Sequence, residues 1–94
     1  MSVKVVWSAL ARRRLREIHE HVARDRPLAA ERLAMRIVAS VQVLKRYPYV
    51  GRSGRDSGTR ELVIGKTPYI VAYEVHEAEV RIVMIWHGAQ DRPS

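Results

Sequence analysis

The stretch from Thr59 to Gln90 constrains the fold more than any other part of the chain. It reads TRELVIGKTPYIVAYEVHEAEVRIVMIWHGAQ, three apolar runs separated by two short polar breaks. Arg60 to Ile64, Tyr69 to Val75 and Val80 to His87 each have the length and the β-branched or aromatic content of a strand. The breaks, Gly65-Lys66-Thr67-Pro68 and His76-Glu77-Ala78-Glu79, are too short for a crossover and so make neighbouring strands antiparallel. A three-stranded meander is the expected core, and the residues before it must supply what packs against it.

Those residues read as one short strand and two helices. Met1 to Trp7 alternates, with Val3, Val5 and Trp7 on one side, and is expected to be a strand. Ser8 offers an N-cap oxygen for a helix running to about Arg24. Ala11, Leu15, Ile18 and Val22 share one face of it, while Arg12, Arg13, Arg16, Glu20 and Arg24 occupy the other. Asp25-Arg26-Pro27 ends this helix and opens the next, since Pro27 loses nothing in a first helical turn. Ala30, Leu33, Ala34, Ile37, Val41 and Leu44 keep helical spacing up to Tyr47, and Pro48 stops it. The short connection makes the pair an antiparallel hairpin. Tyr49 to Gly58, YVGRSGRDSG, reads as a flexible loop leading into the meander. The expectation is an α+β fold: an N-terminal strand, a helical hairpin, then an antiparallel meander, with the first strand joining at an edge.

Ninety-four residues hold one hydrophobic core, so residues 1–94 read as a single domain. With no cysteine, disulfides and thiolate metal sites are excluded, as a reducing cytoplasm would allow. No apolar run approaches the roughly 20 residues of a membrane span, and nothing resembles a signal peptide, so a cytoplasmic location is expected. The net charge of +7 is unevenly placed. Residues 1–47 carry eleven Lys/Arg against four Asp/Glu, whereas residues 48–94 carry six of each. The cationic surface therefore belongs to the strand and helices of the first half, and it suits an anionic partner, either nucleic acid or an acidic protein segment.

Metal and nucleotide cofactors are not expected. His19 and His21 are two apart and diverge on a helix, His76 falls in a turn, and His87 stands alone at a strand end. No glycine pattern makes a phosphate loop. The remaining chemistry is metal-free attack by an RNA 2′-hydroxyl, which needs a base, an acid and cations around the phosphate. His87 is the candidate acid or base. Arg60, Arg52, Arg55 and Arg81 are candidate phosphate clamps, with Lys66 and Tyr73 in support.

The segments GTRELVIGKTPYIVAYEV and VRIVMIWHGAQDRP, following a Gly/Arg loop, resemble the C-terminal half of the RelE/ParE superfamily of bacterial toxins. VVWSALARRRLREIHEHVA and the AAERLAMRI helix resemble its opening strand and hairpin. The resemblance implies the toxin of a type II toxin–antitoxin pair, neutralised by a small antitoxin wrapped around the hairpin and sheet. It also implies one of two targets. RelE-like toxins cut mRNA on the ribosome with basic residues and often a tyrosine or histidine on the concave sheet; by that resemblance the catalytic set here would be His87, Arg60, Arg81 and Tyr73, with Arg52, Arg55 and Lys66 binding phosphate or target. ParE-like toxins inhibit DNA gyrase. The middle strand reads Tyr69-Ile70-Val71-Ala72 where the nucleases place an arginine, and the His87-x-x-x-Asp91 ending is similar to ParE-like members. The ParE-like reading is favoured, with the mRNA endoribonuclease as the alternative and a decayed, antitoxin-binding homologue as a third.

Overall fold

Two helices lie on one face of a five-stranded sheet in a computed structural model that describes residues 3–89. The elements are β1 (Lys4–Trp7), α1 (Ala9–Ala23), α2 (Pro27–Gln42) with a 3₁₀ turn at Val43–Lys45, β2 (Arg52–Ser53), β3 (Arg60–Val63), β4 (Tyr69–Val75) and β5 (Glu79–His87). The sheet order is β1-β5-β4-β3-β2. The hairpin and the meander stand where their periodicity predicts. Ser8 caps α1 through its hydroxyl, which accepts the Ala11 N–H at 3.0 Å, and Pro27 opens α2 behind an Arg26 cap that offers no side-chain bond.

The structure adds one feature that the sequence leaves open and corrects one expectation. The sheet is mixed, because β1 joins the edge of β5 in parallel, with Val5 opposite Val80 and Trp7 opposite Ile82. Short turns dictate the polarity of β3, β4 and β5, but β1 reaches the sheet through two helices, and no hairpin fixes its direction. The Tyr49–Gly58 segment is also not wholly a loop. Arg52 and Ser53 pair with Glu61 and Arg60 and add a fifth, edge strand.

The core lies between the helices and the sheet. Ala11 and Ile18 of α1, Ile37 and Val41 of α2, and Leu44 meet Tyr69, Val71, Tyr73, Val80, Ile82 and Ile85, with Leu15 packed at the margin. One irregularity controls which side chains of β5 reach that core. Ala72 pairs with Met84 but Tyr73 pairs with Ile82, so Val83 is an extra residue on β5. A simple alternation would group Val80, Ile82, Met84 and Trp86. The bulge breaks this grouping: Val80 and Ile82 are fully buried before it and Ile85 after it. Met84 and Trp86, opposite Ala72 and Ile70, turn to the open face instead. The edge of β5 beyond β1 is closed by α1. Ser8 donates its N–H to the Ile82 carbonyl at 2.9 Å and its hydroxyl to Val83 at 3.2 Å, and Arg14 Nε donates to the Ile85 carbonyl at 3.1 Å. These carbonyls would otherwise be unpaired at a sheet edge.

Candidate functional site

The open face of the sheet is built around a buried acid. Glu61 follows Arg60 in β3, so alternation turns it away from the helices, opposite Ala72. It is only 2% exposed. A carboxylate so enclosed must be paired and hydrogen-bonded. Arg52 supplies Nε and Nη2 to Oε1 at 3.3 and 3.2 Å, and the Arg55 backbone N–H donates to Oε2 at 3.3 Å. Glu61 thereby ties both ends of the Arg52–Arg55 segment to the sheet. Beyond it the chain closes a tight turn, with Gly54 N–H donating to the Thr59 carbonyl and Thr59 N–H to that of Asp56. The Arg55 guanidinium lies 4.4 Å from the centre of the Trp86 ring. Under this turn is a pocket of about 320 Å³ floored by Ala72, Val83, Met84 and Trp86 and bordered by Leu10.

The remaining sequence candidates do not converge on that face. Tyr73 is fully buried on the helix side, and its hydroxyl accepts the Gly51 N–H at 2.8 Å. Burial pushes the Tyr73 phenol above its ordinary value, against the opposing pull of the Gly51 N–H and the nearby Arg60 charge. Arg60 donates through Nη1 to the carbonyls of Gly51 at 2.8 Å and Tyr49 at 3.2 Å and lies 5.0 Å from the centre of the Tyr49 ring. Both side chains hold the 49–51 segment against the sheet.

His87 pairs with Tyr69 across β4 and β5, and the two rings meet edge to face at 5.3 Å. Its Nδ1 accepts the Ala89 N–H at 3.2 Å. It opens into a separate cleft of about 420 Å³ between α1 and the sheet, lined by Arg14, Glu17, His21 and Arg24. Arg81 is six residues back along β5, about 20 Å away at strand spacing, opposite Glu74 and bonded to Glu79 at 3.0 Å. Lys66 lies exposed in the β3–β4 turn with φ 64°. Asp91 lies outside the described residues.

The candidate groups thus fall in separate places: a helix-side cleft, a buried tyrosine under the 49–51 segment, and an open face. Acid–base work on a phosphodiester needs its groups within hydrogen-bond reach of one substrate position. Among the described residues no His/Asp/Glu cluster suited to a metal ion occurs. No helix among them is long and apolar enough to cross a membrane. Nothing in the residue pattern singles out Glu61. It is a carboxylate at the start of a strand directly after a loop bearing two arginines, but its pairing with Arg52 depends on β2, which periodicity does not reveal.

This strand–hairpin–meander arrangement recurs in solved chains of toxin–antitoxin systems. It is similar to a chain of the chromosomal ParDE toxin–antitoxin system from P. aeruginosa, with a TM-score of 0.84 over 92% of this chain and 96% of the other at 24% identity. A chain of the RelBE2 toxin–antitoxin complex from Mycobacterium tuberculosis matches with a TM-score of 0.63 at 21% identity, over 93% and 99% of the two chains. These likenesses define the RelE/ParE toxin fold. Among curated sequences, a relative designated Y4kP from Sinorhizobium fredii is 40% identical over 96% of this chain and 93% of its own. Toxin RelE2 of Caulobacter vibrioides is 37% identical over 93% and 97%. The family model for the ParE toxin of the type II toxin–antitoxin system parDE matches residues 5–92, and the chain belongs to that family.

Proposed function

We propose that this type II toxin arrests growth by binding DNA gyrase and inhibiting it, without cutting RNA. The observation that carries the reading is the separation of the would-be nuclease groups. Tyr73 and Arg60 are engaged in holding the 49–51 segment, on the opposite side of the sheet from Arg52 and Arg55. His87 belongs to the α1 cleft. A protein that acts by binding needs only a complementary surface, and the cationic outer face of α1, with Arg12, Arg13 and Arg16 all exposed, supplies one.

The same reading gives the toxin an antitoxin partner. Leu28 and Met35 of α2 are 71% and 69% exposed, and Met35 lines an open groove with Val43 beside Arg32 and Arg36. An amphipathic acidic segment matches this surface in both polarity and charge. The test is a supercoiling assay with purified gyrase. Toxin near equimolar with gyrase is expected to block supercoiling, and added antitoxin to restore it. Undiminished supercoiling at a large molar excess of toxin, together with cleaved transcripts in induced cells, would refute the proposal.

A further inference from the structure

We propose that the pocket beneath the 54–59 turn is a socket for one bulky apolar side chain, carried on an acidic segment of the target protein, with Arg55 as its clamp. This rests on the reading that the toxin acts by binding a protein target. The pocket exists because of the bulge at Val83. Without the extra residue, Met84 and Trp86 would continue the face of Val80 and Ile82 into the core, and the open face would lose its apolar floor. With it, Val83 and Met84 stand side by side at the pocket, next to Trp86 and Ala72 and below Leu10 of α1. A volume of about 320 Å³ is at the small end for ligand sites and suits a single anchoring side chain.

The charge around this floor selects the segment that carries the anchor. Glu61, the acid within the pocket, is engaged by Arg52 and by the Arg55 N–H. The Arg55 side chain rests on the Trp86 ring, and an exposed cation–π contact of this kind is readily exchanged. An entering side chain takes its place on the indole, and the freed guanidinium meets a carboxylate of the incoming segment. Arg13, exposed on α1 one turn after the pocket residue Leu10 and so on the same side of the helix, adds positive charge beside Arg55. Asp56 is the acidic exception on the turn. Bulky apolar anchors in desolvated pockets, flanked by charge pairs, are the groups that dominate protein–protein affinity.

The experiment compares wild type with Arg55→Ala, Met84→Asp and Val63→Asp, each confirmed as folded by its circular dichroism spectrum and thermal melt. Val63 is exposed on the same strand as Glu61, outside the pocket. Growth arrest on induction without antitoxin is scored first, and gyrase supercoiling second. Met84→Asp is expected to abolish arrest, and Arg55→Ala to need about tenfold more toxin for the same effect, while Val63→Asp arrests growth as wild type does. Arrest by Arg55→Ala at the wild-type dose overturns the proposal even where Met84→Asp fails to fold. So does a loss at Val63→Asp equal to that at Met84→Asp. A wild type that arrests growth but leaves gyrase untouched refutes the gyrase reading alone, and the variants still judge the socket. A wild type that never arrests growth overturns both.

Discussion

Replacing Tyr73 by Phe removes one oxygen from the centre of the molecule and leaves the ring. That oxygen accepts the Gly51 N–H at 2.8 Å, and both residues are buried. The variant leaves the amide without a partner and out of reach of water, which costs about 1–3 kcal/mol. Ring packing against Val71, Ile82 and Ile85 is unchanged, so no large cavity adds to this. At about 2 kcal/mol, the melting temperature of a domain of this size should fall by roughly 10 °C. The pH dependence gives an independent check. Burial holds the folded-state phenol above its ordinary value, so the unfolded chain ionises first. The contribution from the neutral phenol is complete below about pH 10, and it declines as pH rises toward the folded-state value, by at most about 1.4 kcal/mol per pH unit. Urea denaturation followed by circular dichroism, from pH 7 to 11, measures both effects. The gap between wild type and Tyr73→Phe should be constant at neutral pH and narrow above pH 10. A variant as stable as wild type at pH 7, or a gap that widens in alkali, would refute the assignment of Tyr73 as the anchor of the 49–51 segment.

Gly51→Ala tests the same contact from the other side. A Cβ there would lie 2.5 Å from the Tyr73 hydroxyl and 2.7 Å from the Glu61 carbonyl, so thermal melts should show a loss of about 1–3 kcal/mol as the segment is displaced. Ser8→Ala removes both the α1 cap and a bond to the Val83 carbonyl; chemical denaturation should register about 1–2 kcal/mol. Lys66→Gly should leave the fold intact and raise stability by up to about 1 kcal/mol, because Lys66 occupies the left-handed region at φ 64°. A lower denaturation midpoint for that variant would show that the lysine side chain contributes more than its backbone strain costs.

The elements governed by local chemistry were legible in the sequence. Ser8 and Pro27 set the helix starts, the four-three-four spacing of Ala11, Leu15, Ile18 and Val22 set the buried side of α1, and the two polar breaks set the antiparallel meander. The membership of the candidate site was much less legible. His87, Arg60, Arg81 and Tyr73 are all compatible with RNA chemistry as residue types, yet alternation and pairing direct them to different places. Tyr73 and Arg60 sit beside each other, opposite one another on β4 and β3, but their polar atoms are directed to Gly51 and Tyr49. Arg52 and Arg55 stand out in the sequence as loop cations, whereas Glu61, the acid that fixes them, does not.

The sequence by itself determined that two amphipathic helices would cover one face of a three-stranded meander, since helix caps, turn lengths and residue periods act over a few neighbouring positions. It also determined the basic first half of the chain. The tertiary structure decided the polarity of β1, the edge strand at Arg52–Ser53 and, above all, the side of the sheet on which the end of β5 is displayed. A single extra residue at Val83 reverses every later side chain of that strand. The reversal buries Ile85, takes His87 to the helix side and brings Met84 and Trp86 to the open face beneath Arg55. No local pattern in VRIVMIWH distinguishes the two arrangements, because apolar residues occupy both faces. The choice is made by what the neighbours can satisfy: Ser8 and Arg14 of α1 hold the carbonyls of Ile82, Val83 and Ile85 at the bulged edge, and Ala72 leaves room for Met84 across the strand.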